Sequence, residues 1–97
     1  MQIVLAPGRL KDGISEADML AASDRFQREF VVHHPGVLRR VLVADQTGGY
    51  ADIVFFADEA AIAEVMAAEA TSEVCQRFLE LWDGDQPSIY RVLHTYG

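Results

Sequence analysis

The stretch "GGYADIVFF", residues 48–56, decides how the rest of the chain is read. Tyr50, Ile53, Val54, Phe55 and Phe56 are strand formers suited to a core, and Asp52 stands among them. Side chains alternate across a strand, so Tyr50, Asp52, Val54 and Phe56 share one face while Ala51, Ile53, Phe55 and Ala57 share the other. A carboxylate in such a row must be paired, hydrogen-bonded or protonated, because an isolated buried charge is strongly unfavourable. Asp52 is therefore either a structural anchor or part of a binding surface.

Outward from this strand, "VLRRVLVA" (37–44) is a second β-rich run, and "DQTGG" between the two supplies hairpin glycines. "QIVLA" (2–6) opens the chain and resumes at "GRL" (8–10), with a bulge or kink expected at Pro7-Gly8 because proline cannot donate to a ladder. "ISEADMLAASDRFQREFVVHHPG" (14–36) reads as a helix: Ser15 caps it, Glu16 and Asp18 place acid in its first turn, and Met19, Ala22, Phe26 and Phe30 form its apolar stripe. It should stop near His33 and His34, before Pro35. Asp58 caps a second helical region that carries Ile62, Val65 and Met66. This region breaks and recaps at Thr71 or Ser72, as one kinked helix or two, before Val74, Cys75, Phe78, Leu79 and Trp82. "DGDQP" (83–87) is a turn and "SIYRVLHTY" (88–96) a closing strand.

The order predicts an α+β, ferredoxin-like βαββαβ domain over residues 1–97: a four-stranded antiparallel sheet with both helices on one face. The other face needs cover, and a second copy of the chain is the natural cover. An even-length hairpin loop would set the Asp52 row beside Val37, Arg39, Val41 and Val43, while the row of Ala51 and Ile53 suits close packing under helices. Asp52 is therefore expected on the face away from the helices, inside a homodimer, with Arg39 as its nearest basic partner. Tyr90, Val92, His94 and Tyr96 alternate on the closing strand toward the same space. Apolar walls with a few converging polar groups are the usual form of a small-molecule site.

Composition bounds the function. With 97 residues, 51% hydrophobic and 24% charged, the chain is one globular domain that benefits from association. Eight basic against fifteen acidic side chains, a net charge of −7, argue against nucleic-acid and anionic-membrane partners. Cys75 is the only cysteine, so no intramolecular disulfide forms and a reducing, cytoplasmic setting is expected. No P-loop, dinucleotide fingerprint, zinc spacing or nucleophile elbow occurs, and neither a cofactor nor a metal is expected. His33 and His34 suit a helix C-terminus and project about 100° apart on a helix, which makes a shared metal awkward.

Leu10, Lys11, Gly13, Ser15, Pro35, Gly36, Tyr50, Asp52 and Asp58 carry a resemblance that spans nearly the whole chain. They lie in a strand, an "L-K-x-G-x-S" entry to the helix, a "P-G" exit, the hairpin and the acid-capped helix. In this pattern the chain resembles the dimeric α+β barrel superfamily, and within it the antibiotic-biosynthesis-monooxygenase type. The resemblance implies a homodimer binding a small, partly aromatic molecule and a cofactor-independent monooxygenase chemistry; the competing class is a non-catalytic binding or stress-associated dimer. "QIVLAPGRL" lacks the first-strand Asn of the superfamily's haem-degrading enzymes, which excludes that chemistry. On this reading His94 and Asp52 are the candidate catalytic residues, and Tyr50, Arg39, Tyr90 and Phe56 line the ligand. His94 is a general base or an interface histidine, and Asp52 a base or an ion-pair anchor.

Overall fold

The computed structural model describes all 97 residues. The strands are β1 (Gln2–Leu10), β2 (Val37–Ala44), β3 (Tyr50–Phe56), β4 (Trp82–Gly84) and β5 (Ser88–Arg91); the helices are α1 (Glu16–Glu29), α2 (Glu59–Glu69) and α3 (Glu73–Leu79), and a 3-10 turn over Val31–His33 follows α1. All strand pairs are antiparallel, in the order β2-β3-β1, with β4 and β5 sharing the outer edge of β1. The expected α+β arrangement is present, with its fourth strand split in two.

Local chemistry places the helices as the sequence predicts. Ser15 Oγ accepts from the Asp18 backbone N–H while Asp18 answers to the Ser15 N–H, a reciprocal cap at the start of α1. Asp58 caps α2 through the Ala61 N–H at 2.8 Å, and Ser72 caps α3 through the Cys75 N–H at 3.2 Å. The second helical region is thus two helices. Met19, Phe26 and Phe30 are buried with Val31, Phe56, Ile62, Val65, Cys75 and Phe78 in one core between the helices and the sheet. Cys75 is a core residue, fully buried, with its thiol pushed up to about 12 by burial and then by the neighbouring Glu69 carboxylate.

Two expectations need correction at Pro7-Gly8 and at the C-terminus. Register between β1 and β3 runs unbroken from Gln2 opposite Phe56 to Gly8 opposite Tyr50, so Pro7 makes no bulge on that side. The interruption lies across the ladder instead. Pro7 O accepts from the Asp85 N–H at 2.9 Å, in the gap between β4 and β5. A strand residue points its nitrogen and its carbonyl to the same side, so the missing N–H faces this gap and no ladder bond is forfeited. The predicted closing strand also ends early. β5 stops at Arg91, and after a last bond from the Val92 N–H to Met1 O at 3.0 Å the tail leaves the sheet, with Leu93 and Tyr96 almost fully exposed.

The third correction concerns the faces of β3. The hairpin loop between β2 and β3 holds five residues, an odd number, and sets Ala44 opposite Tyr50, Leu42 opposite Asp52 and Arg40 opposite Val54. Arg40, not Arg39, therefore shares the face of Asp52. That face is the helix face: Phe56 is buried in the core beside Phe26 and Val65, and Arg40 reaches Ser23 of α1. The face away from the helices carries Arg39, Phe55, Ile3 and Tyr90 in one row across four strands, with Val41, Ile53, Leu5 and Ser88 in the next.

Gly8 is buried where β4 crosses β1. A Cβ there would lie 2.9 Å from Asp83 O, 3.0 Å from Trp82 Cε3 and 3.1 Å from Gly84 Cα. Since two of these are backbone atoms, Gly8→Ala is expected to cost about 1–3 kcal/mol by displacing β4. Urea unfolding checks this value, and a stability equal to wild type would show that β4 yields freely.

Candidate functional site

Arg40 and Asp52 form the most buried charged group in the molecule, with side-chain exposures of 7% and 13%. Arg40 Nε donates to both carboxylate oxygens of Asp52 at 3.0 Å. Nη2 donates to Ser23 Oγ at 2.7 Å, and Nη1 donates to Ser23 O and Gln27 Oε1 at 3.4 Å each. The guanidinium also lies beside two mutually stacked rings, 5.0 Å from the centroid of Phe26 and 5.1 Å from that of Phe78. Arginine suits this position because its flat, multiply donating head serves an ion pair, a hydroxyl and two ring faces together.

Asp52 stands between two spaces. On one side is a small chamber of about 40 Å³ lined by Arg40, Glu69, Phe26, Phe56 and Val65. On the other is a cleft of about 180 Å³ whose walls include Pro7, Phe78, Leu79, Trp82, Asp85 and Pro87. Trp82 meets Phe78 edge to face at 5.6 Å and Tyr50 likewise at 6.2 Å, and its indole nitrogen has no oxygen or nitrogen partner. A wider groove of about 480 Å³ runs between α1 and α3, but its arginines, Arg25 and Arg77, are exposed and already paired with Glu29 and Glu73 one helical turn away. The cleft at Asp52 is the candidate site because there a buried polar group meets apolar walls.

Burial raises both carboxyls of the site. Burial raises the Asp52 carboxyl above its ordinary value in spite of the opposing Arg40 charge. Glu69, at the end of α2, is raised as well, by burial first, against a weak bond from Cys75 Sγ at 3.6 Å and with a contribution from the Asp52 charge. One guanidinium thus faces two partly buried carboxyls. The high value of the Cys75 thiol keeps it protonated and unreactive.

The residues selected from the sequence divide into three places. Asp52, Phe56 and Tyr50 are on the helix face; Asp52 borders both spaces, Phe56 lines the inner chamber, and Tyr50 packs against Trp82. Partial burial first, and Glu16 second, hold the Tyr50 hydroxyl above its ordinary value. Arg39 and Tyr90 are on the opposite face, Arg39 over the Phe55 ring at 6.0 Å. His94 lies in the exposed tail, its ring tilted against that of Tyr96 at 4.5 Å, and does not meet Asp52. Sequence reading missed Arg40, Glu69 and Trp82 as neighbours of Asp52. The available signal was the odd length of "DQTGG", which places Arg40 in the row of Asp52.

The raised Glu69 value fixes the sign of a pH effect. A carboxyl with a folded-state value above its ordinary 4.5 contributes stability that is full below about pH 4.5 and is lost as pH rises through the folded-state value. Glu69→Gln abolishes that loss, so the variant should gain stability relative to wild type as pH rises from 4.5 toward neutrality. Denaturant unfolding at a series of pH values reads the difference, and a difference independent of pH contradicts the placement of Glu69.

No protein-family model matches the chain, and no curated protein does. Solved structures do. SnoaB, a cofactor-independent oxygenase from Streptomyces nogalater, superposes with a TM-score of 0.75 at 16% identity, covering 97% of this chain and 95% of that one. A protein of Arabidopsis thaliana gives a TM-score of 0.76 at 17% identity, with 99% of each chain covered. An antibiotic biosynthesis monooxygenase gives 0.65 at 18% identity, over 99% of this chain and 100% of that one. The split fourth strand does not disturb this likeness: the chain has the ferredoxin-like α+β fold that these structures share.

Proposed function

We propose that this protein is a homodimer that binds a small, partly aromatic molecule in the cleft at Asp52 and oxygenates it without a cofactor. The observation that carries this reading is the buried carboxylate of Asp52 bordering an apolar cleft walled by Trp82 and Phe78. The likeness in fold to a cofactor-independent oxygenase supports it. A phenol in the cleft would pass its proton to Asp52, whose burial favours the protonated form. The phenolate then supplies the electrons: phenol and dioxygen give a quinone and water, one oxygen atom entering the ring and the other leaving as water. Apolar walls exclude bulk water from the carbanionic species.

The dimer follows from the face opposite the helices. Ile3, Leu5, Val41, Ile53 and Phe55 leave a half-exposed apolar sheet there, with Arg39 and Tyr90 in its outer row. A contiguous face of this kind marks an interface. Arg39, Tyr90 and the tail residue His94 belong on this reading to the interface. A reducing compartment suits the unpaired Cys75, and no helix is long and apolar enough to cross a membrane. A second reading, a non-catalytic binding or stress-associated dimer, is favoured by one observation: both oxygens of Asp52 are already engaged by Arg40.

Labelled dioxygen separates the two. Oxygenation predicts dioxygen uptake with small phenols, one labelled atom in the product, and a rate lowered about 10²-fold or more in Asp52→Asn. Equal rates in Asp52→Asn and wild type, or no uptake with any phenol, would leave the structural reading. Separately, Ile53→Glu at the centre of the open face is expected to give a folded monomer by sedimentation, whereas a persistent dimer would place the interface elsewhere.

A further inference from the structure

The cleft has a definite size and a definite charge, and neither is used by the mechanism above. Its volume of about 180 Å³ lies below the roughly 300–1,000 Å³ typical of drug-sized ligands, which restricts it to a single ring with a short substituent. Its charged walls are Asp52 and Asp85 alone, with no lysine or arginine among them. Arg40 stands behind Asp52 and offers nothing to a ligand, since its donors are spent on Asp52, Ser23 and Gln27. Asp85 pairs with no cation, and its backbone N–H, bonded to Pro7 O at 2.9 Å, fixes the residue beside the cleft.

We infer that the cleft selects single-ring phenols that bear no negative charge and prefers those with an alkylammonium tail. This rests on the reading of the cleft as the binding site. A carboxylate ligand would bring a third negative charge beside Asp52 and Asp85, in a chain already at −7, with no donor to receive it. An ammonium group meets the opposite situation. Trp82 and Phe78 supply ring faces and Asp85 a free carboxylate, the two kinds of group that stabilise an organic cation.

Three probes of nearly equal shape test the inference: tyramine, para-ethylphenol and para-hydroxyphenylacetate. Trp82 is the only tryptophan, so a single indole N–H resonance, with the Phe78 and Ala6 amides, reports on the cleft by NMR titration. The expected order is tyramine first, roughly fivefold to tenfold tighter than para-ethylphenol at low salt, with para-hydroxyphenylacetate last. Asp85→Asn, an exposed substitution, should bring tyramine and para-ethylphenol to equal affinity. If para-ethylphenol shifts these resonances and the anion binds as well as or better than tyramine, the inference is overturned while the cleft stands as the binding site. If none of the three shifts them, both fail.

Discussion

The contact between Arg40 and Asp52 holds the molecule together in a way no apolar contact does. A long basic side chain from β2 is fixed by a carboxylate on β3, a hydroxyl and carbonyl on α1, and ring faces from α1 and α3. The groups it touches come from β3, α1 and α3, so the pair ties two helices to the sheet. Two charges removed from water are tolerated only when every donor and acceptor is used, and this group comes close to that condition. The less compensated member is Glu69, whose carboxyl is raised by burial first and, to a smaller extent, by the Asp52 charge.

From this anchor follows a division between the faces. The helix face spends its polar groups on internal pairing and leaves the Asp52 carboxylate at the border of a half-open apolar cleft. The outer face carries almost no polar groups across β1 and β3, where Ile3, Leu5, Ile53 and Phe55 lie side by side. A small domain cannot cover both faces of a sheet with three short helices. The same strand, β3, thus contributes alternate residues to the Asp52 cleft on one side and to the open apolar face on the other.

Much of the fold was legible in the sequence because its signals are local. Ser15 and Asp58 cap where their side chains predict, and the stripe of Met19, Phe26 and Phe30 faces the core. The site was less legible. Alternation separated the residues of β3 into two rows, but which row faces the helices is set by packing across the whole domain. Bulky residues in the Asp52 row look suited to a roomy interface; they fit instead against the aromatic face of α1 and α3. The identity of the partner arginine turned on a single residue of hairpin length, which shifts every neighbour by one position. The break between β4 and β5 falls within "DGDQP", read as a turn, but the pairing of Trp82–Gly84 with β1 ahead of it depends on residues from the far end of the chain.

The claim on which this account depends is that Asp52 faces the helices and is held there by Arg40. A double-mutant cycle on unfolding free energy measures it directly, using Arg40→Met and Asp52→Asn, with a parallel cycle using Arg39→Met. The account predicts a coupling of about 1.5 kcal/mol or more between Arg40 and Asp52 and none between Arg39 and Asp52. Coupling carried by Arg39, with Arg40 independent, would turn β3 over and contradict it.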